Sequence, residues 1–583
     1  MAGEEALIEI FGQSVFGEVA ALLVMAAVIG FIGIILRQPL IVSFIAVGLI
    51  AGPSALDVVR SGAQIGLLSE LGIAVLLFLV AYVGDGLHRR GVYVPTPVVY
   101  SLALGVYCTS WTFFGAVGMS AARGWDFVTI YLGPIIVFLM MTRLPARIIA
   151  VSKQQSITSI ADFIASRYGK AQGIAALASV MALVAVLPYI ALQLKAVAGS
   201  YSLITGGPGM DVVPRVAEDT GLLAAALLAV FTILFGTRQV DSTESHRGMV
   251  LAVAFESAVK LVAFLAVGLW VLFGLFDGPG ALLEASRANE TVTMLYGSAT
   301  IGHSFLVLTV ISMLAILCLP RQFHVAVVEN SSPRDLALAR WAFPLYLAIF
   351  TAFVVPIAAA GILTLGGEAD ADGFLISLPM AAGNDGLALL AFLGGFSAAT
   401  GMVIVATIAA STMLCNEIVM PALVKLKGEE VSRRPDLARL LIRIRRVLIV
   451  GILILAWGAY RVIGMYGALA SIGLLSFALA AQFGPPMIGG LYWRGATRTG
   501  AIAGMSVGFL VWIWTLLVPA FAQTGWLPAT LLSEGPFGLA WLRPYALFGM
   551  EGLDPVTHGV VWSLGANLLF FFGGSYFTAP RLM

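Results

Sequence analysis

The residues best placed to do chemistry lie in 101–120, SLALGVYCTSWTFFGAVGMS. Its middle, Tyr107, Cys108, Thr109 and Ser110, is polar and uncharged, and Gly105, Gly115 and Gly118 flank it. In hydrocarbon every backbone N–H and C=O must be bonded, so irregular backbone persists only where it lines a protein-buried cavity. Such a stretch reads either as a discontinuous helix whose freed carbonyls hold a cation or polar solute, or as a close helix-packing face made of small residues. A second polar centre is 397–401 in FLGGFSAATGMVIVATIAAST, where Ser397 and Thr400 are three apart and share a helical face. Hydroxyls without carboxylates suit a weakly bound monovalent cation better than Ca²⁺. The alternative there is ordinary hydroxyl-to-backbone bonding.

Ionisable groups inside apolar runs are functional candidates because they are expensive in lipid. Lys195 follows Pro188, Tyr189 and Gln193 in LPYIALQLKAVAGS, and either snorkels outward or faces a cavity with Gln193. Glu256 and Lys260, four apart in FESAVK, suit a mutual helical ion pair with a structural role. Lys195, Glu256 and Lys260 are also the candidates for a proton or charge relay. In CLPRQFHVAVVEN, Pro320, Arg321, Gln322 and His324 mark the cytoplasmic end of a span, with His324 as a loop residue. There is no nucleotide-binding Gly-rich loop, Walker motif or nucleophile elbow, so neither an ATP-driven pump nor an enzyme is indicated, and no cofactor is called for.

The elements that must position these residues are membrane helices. The 583 residues are 60% hydrophobic and 11% charged, with a mean hydropathy of +0.99, against about a quarter charged in a soluble domain. The near-neutral balance of 32 basic and 31 acidic residues gives no reason to expect a nucleic-acid partner; the lipid bilayer is the partner expected. Cys108, Cys318 and Cys415 fall in or beside apolar runs and imply no disulfide or metal framework. The acidic start MAGEEALIEI lacks the basic region of a cleavable signal, so the first apolar run reads as a retained helix.

Runs long enough to span, about 20 residues, occur near 16–36, 66–86, 97–121, 126–149, 173–200, 219–236, 247–276, 303–323, 339–365, 384–416, 438–461, 466–489, 499–522 and 557–577. A shorter run at 39–53 brings the total to about fifteen segments, an all-α polytopic membrane protein. With the N-terminus outside, 24 of the 32 Lys and Arg residues fall in cytoplasmic loops and the C-terminal tail and six in outer loops, as the positive-inside rule requires. Residues 150–170 contain SITSIADFIASRYG, whose Ile157, Ile160, Phe163 and Ile164 share the apolar face of an interfacial helix. The aromatic outer loop 523–556 is expected to lie on the membrane surface as a lid.

From about 66 to 580 the chain resembles the sodium/solute symporter family, and within it the symporter-like module that precedes sensor histidine kinases of histidine and carbon–nitrogen utilisation. The stretches that carry the likeness are VYCTSWTFFGAVG, IYLGP, SITSIADFIASRYGK, LPYIALQLKA, FGTRQVDSTESH, AILCLPRQFHVAVVEN, GFSAATGMVIVAT and LASIGLLSFALAAQFGP. The resemblance implies a LeuT-type 5+5 inverted repeat, about 97–276 and 303–489, with extra leading and trailing helices. It implies Na⁺ or H⁺ symport of a small polar solute, an amino acid such as histidine, across the bacterial inner membrane. Carried over by position, a sodium site falls on Gly105, Cys108, Ser397 and Thr400, with Ala398 and Gly401 one residue away in register. The solute site draws on Tyr107, Thr109, Ser110, Trp111, Tyr189, Gln193 and Gln322. Proline-type symporters carry an acidic residue where Tyr107 stands, and only one hydroxyl of the second helix pair is matched, which leaves proton coupling open. The same likeness implies a competing role as the sensory input of a cytoplasmic histidine kinase. ILRQPLIVSFIAVGLIAGPSAL resembles the opening of Kef-type cation/proton antiporters, so 1–60 reads as an accessory hairpin before a symporter-like domain at 61–583.

Overall fold

The computed structural model describes residues 96–205, 219–236, 247–297, 302–366, 369–428, 437–463 and 469–578. The accessory hairpin and the leading span near 66–86 lie outside them. Among the described residues every regular element is helical. Among the described residues, eight helices are long and apolar enough to cross a membrane, or nine when the bent pair within 303–328 is taken as one span. This is a multi-pass membrane protein. The count of about fifteen is not established. Leu437–Ile463 is a 27-residue helix, but Arg439, Arg443, Arg445, Arg446 and Arg461 make it less apolar than its neighbours.

The chain enters through α1 (Thr96–Ala103), breaks over residues 104–115, and resumes as α2 (Ala116–Arg123). Then come α3 (Val128–Leu139), α4 (Arg143–Gln155), α5 (Ile160–Arg167) and the long α6 (Gln172–Ile204). The first half closes with α7 (Thr220–Gly236) and α8 (Arg247–Trp270). The second opens on another broken helix, α9 (His303–Cys318) and α10 (Pro320–Phe323), followed by α11 (Pro333–Leu365), which a Ser332–Asp335 capping box starts. After the short α12 (Phe374–Ala381) run α13 (Asp385–Leu414), α14 (Leu437–Ile463), α15 (Leu469–Ala480) and α16 (Gly484–Tyr492).

Two trailing helices, α17 (Arg498–Trp512) and α18 (Pro555–Tyr576), lie along each other. Gly500, Gly504 and Gly508 form a small-residue row on α17, set against Phe571, Asn567 and Ser563 of α18, the spacing that lets membrane helices approach closely. The core is α6, α13 and α15, buried along most of their length; α6 packs on both α13 and α15, and all three meet the first broken helix. The amphipathic helix expected within 150–170 is α5. Its apolar face is covered by protein: Ile160, Phe163 and Ile164 are buried and Phe163 packs on Phe323, 5.6 Å between rings. In the 523–556 loop, Phe537 is fully exposed and Trp526 and Trp541 are largely so.

Candidate functional site

The first break follows from the sequence. One 3₁₀ turn, Leu104–Tyr107, ends at Cys108, whose backbone is extended (φ −78°, ψ 96°), and a π turn, Trp111–Gly115, restarts the helix. The freed amides find side-chain partners. Ser110 N–H donates to Gln193 Oε1 of α6 (3.1 Å) and Trp111 N–H to Thr109 Oγ1 (3.2 Å), while the Ser110 hydroxyl donates to the Gly395 carbonyl of α13 (3.2 Å). The Thr109 and Tyr189 hydroxyls are 3.0 Å apart. Both sequence readings hold: the helix is discontinuous, and Gly105, Gly115 and Gly118 let Ser257, Leu469 and Asp372 approach it closely.

The second break corrects the reading of CLPRQFHVAVVEN. Leu319 is extended (φ −64°, ψ 131°), Pro320 opens α10, and the helix bends 51° there before continuing to Val328. Arg321 and Gln322 therefore sit just past the bend, buried at 2% and 0% exposure, with the helix running on to Val328. His324 is no loop residue either; it is buried, with Nε2 3.3 Å from Glu329 Oε1.

The two breaks meet around an aromatic cluster. The Arg321 guanidinium stacks 4.1 Å over the Tyr189 ring. Tyr189 lies parallel to Phe477 of α15, 6.1 Å apart, and Trp111 meets Phe477 edge-on at 5.2 Å. Several polar atoms here are buried without a hydrogen-bond partner: Arg321 Nε and Nη2, both amide atoms of Gln322, and Trp111 Nε1. Such atoms normally carry partners, so each has hydrogen-bonding capacity left for a polar guest or water.

The structure thus brings Thr109, Trp111 and Tyr189 to one locus, and Gln322, next to Arg321 on α10, is buried. Ser110 and Gln193 are the backbone support of that locus. Tyr107 adjoins the same cluster, its ring 6.1 Å from Phe477, while its hydroxyl donates to the Ile130 carbonyl of α3 (2.7 Å) and its ring also meets Phe343 edge-on. Arg321 and Phe477 are the members that sequence reasoning missed. The signal for Arg321 was a cation directly after a 16-residue apolar helix and a proline.

A second locus lies along α8. Glu256 and Lys260 form the expected ion pair, Lys260 Nζ to Glu256 Oε1 at 2.9 Å, fully buried. Glu256 Oε2 lies against Gly401 of α13, where a Cβ would come within 1.4 Å of it, and Ser257 faces Gly105. Ser397 and Thr400 are buried, and the Thr400 hydroxyl donates to the Phe396 carbonyl one turn back (2.9 Å). Gly105 O accepts from Cys108 N–H (2.9 Å). Lys195 is only 2% exposed, inside the protein, so it does not snorkel outward.

No family model matches the chain, and no curated protein does. A solved structure does. It is a Na⁺-coupled sialic acid symporter in a substrate-bound, outward-open state, with a TM-score of 0.59 at 14% identity, covering 88% of this chain and 98% of that one. The fold is the LeuT-type symporter fold. In that frame the paired helix breaks are the feature that lets non-helical backbone exist at membrane depth.

Proposed function

We propose that the protein is a secondary active transporter that imports a small polar organic solute bearing a carboxylate, an amino acid such as histidine, coupled to Na⁺ or H⁺ at the bacterial inner membrane. The N-terminus lies outside and the C-terminus in the cytoplasm. Alternating access rocks one helix bundle against another around the two breaks.

The observation that carries the reading is Arg321. A buried guanidinium with unpaired nitrogens costs several kcal/mol, and its planar fork matches a carboxylate bidentately. Gln322 Nε2 and Trp111 Nε1 are further buried donors without partners. The faces of Tyr189, Trp111 and Phe477 suit an ammonium or a planar ring on the same solute. The test is competition at equilibrium. L-histidine should displace labelled L-histidine from purified protein, and histamine, which lacks the carboxylate, should do so at least a hundredfold less well. Equal displacement by both removes the carboxylate from the account.

A further inference from the structure

The resemblance to sodium/solute symporters implies a monovalent cation between the first break and α13, held by Gly105, Cys108, Ser397 and Thr400. The residues present do not fit that ion, because another cation occupies the level. On α8 and α13, Glu256 faces Gly401 and Ala263 faces Gly394. The helices run antiparallel in that register, seven residues forward on one for seven back on the other. Lys260, four after Glu256, therefore lies at the level of Ser397, four before Gly401. The contact of Ser257 with Gly105 sets the register on the other side. Three residues further along each chain, Lys260 comes level with Cys108, within electrostatic range of it.

We propose that the Lys260 ammonium, anchored by Glu256, is a tethered cation that takes the place of Na⁺ between the first break and α13. The inference rests on the symporter reading and narrows its coupling: no Na⁺ enters this position. The charge logic is internal. A Na⁺ beside an ammonium is repelled, and the one carboxylate at hand already binds that ammonium at 2.9 Å. Glu256 Oε2 makes no hydrogen bond and lies directly on Gly401, so it faces α13. The carboxylate is thus shaped to attract a cation to this level, and the chain supplies one. Among the described residues, titratable groups that feel the pair include Cys108 of the first break and Tyr346 of α11, whose hydroxyl donates to the Ser257 carbonyl (2.9 Å). Neither carries charge at neutral pH, so the pair is balanced by itself.

The test uses Na⁺ alone on the full chain and needs no solute, so it fails independently of the solute assignment. Thermal melts are compared across a NaCl series and a choline chloride series of equal ionic strength. Wild type should show no Na⁺-specific shift. Lys260→Met leaves the carboxylate uncompensated and should acquire a saturable, Na⁺-specific rise in melting temperature, which Glu256→Gln added to it should abolish. A saturable Na⁺-specific rise in wild type overturns the proposal. So does a folded Lys260→Met that ignores Na⁺. Should Lys260→Met not fold, the wild-type series decides alone, flat melts supporting the tethered cation and a Na⁺-specific rise refuting it.

Discussion

Replacing Arg321 by Met removes a guanidinium that the protein buries at 2% exposure, stacked on Tyr189, without using Nε or Nη2. Two consequences of opposite sign follow. The solute loses a bidentate, charge-assisted pair. Each such bond contributes about 1.5–3 kcal/mol, and a carboxylate left buried opposite Met adds a desolvation penalty. A loss of about 3–5 kcal/mol is the usual cost of removing one partner of a buried pair, so affinity should fall at least a hundredfold, about 2.7 kcal/mol. The empty protein, by contrast, is relieved of a buried charge with unpaired donors. Met roughly preserves the aliphatic length, so the melting temperature of the solute-free variant should hold or rise. Arg321→Lys keeps the charge but loses the fork and the flat stack, and should fall between. The assay is a binding isotherm for labelled L-histidine on each purified variant beside a thermal melt without solute. A lowered melting temperature with unchanged affinity would make Arg321 a structural residue and refute the reasoning.

Other perturbations have defined outcomes. Trp111→Ala should weaken L-histidine binding about tenfold, about 1.4 kcal/mol, through loss of the ring on Phe477 and of the Nε1 donor; an isotherm with unchanged affinity rules it out. Gln193→Ala strips the acceptor from Ser110 N–H and should cost about 1–3 kcal/mol, read as a lower melting temperature that Gln193→Glu partly restores. Gly401→Ala places a Cβ on Glu256 Oε2 and should separate the carboxylate from Lys260, costing about 3–5 kcal/mol; an unchanged melt contradicts the register. Asp554 caps α18, accepting from Val556 N–H and Thr557 N–H (both 3.2 Å) and from the Ser304 hydroxyl of α9 (2.6 Å). Partial burial pushes its carboxyl up, but these bonds outweigh it and hold the group below the usual carboxylate value. Its contribution is therefore full above the unfolded pKa near ~3.9 and disappears as pH falls through the folded value. Asp554→Ala should cost about 1 kcal/mol at neutral pH, a difference from wild type that shrinks on acidification.

Much of the fold was legible because membrane depth restricts backbone so severely. The break at 104–115 was one of two readings of glycines bracketing hydroxyls, the other being a close helix-packing face. The Glu256–Lys260 pair could be read from its i,i+4 spacing. Arg321 could not. By local rules a cation after a proline at the edge of an apolar run marks a helix end, and the positive-inside count absorbed it without strain. What holds it inside is the ring of Tyr189, 132 positions earlier in the chain, and no local pattern reports that contact. Tyr107 was legible only in part: its ring joins the Phe477 cluster, but its hydroxyl is committed to the Ile130 carbonyl of α3, a contact that no local pattern reports. The position of Lys260 opposite Ser397 depends on the packing register of α8 and α13, which is set by glycine contacts and not by spacing within either helix.

The measurement that bears most directly on the central claim is counterflow. Proteoliposomes loaded with unlabelled L-histidine are diluted into trace labelled L-histidine, with no ion gradient imposed. A transporter that rocks around the two breaks must accumulate label transiently, and Arg321→Met must not. Saturable binding of L-histidine to the wild-type protein without any accumulation would contradict transport and identify the protein as a receptor with a transporter's fold.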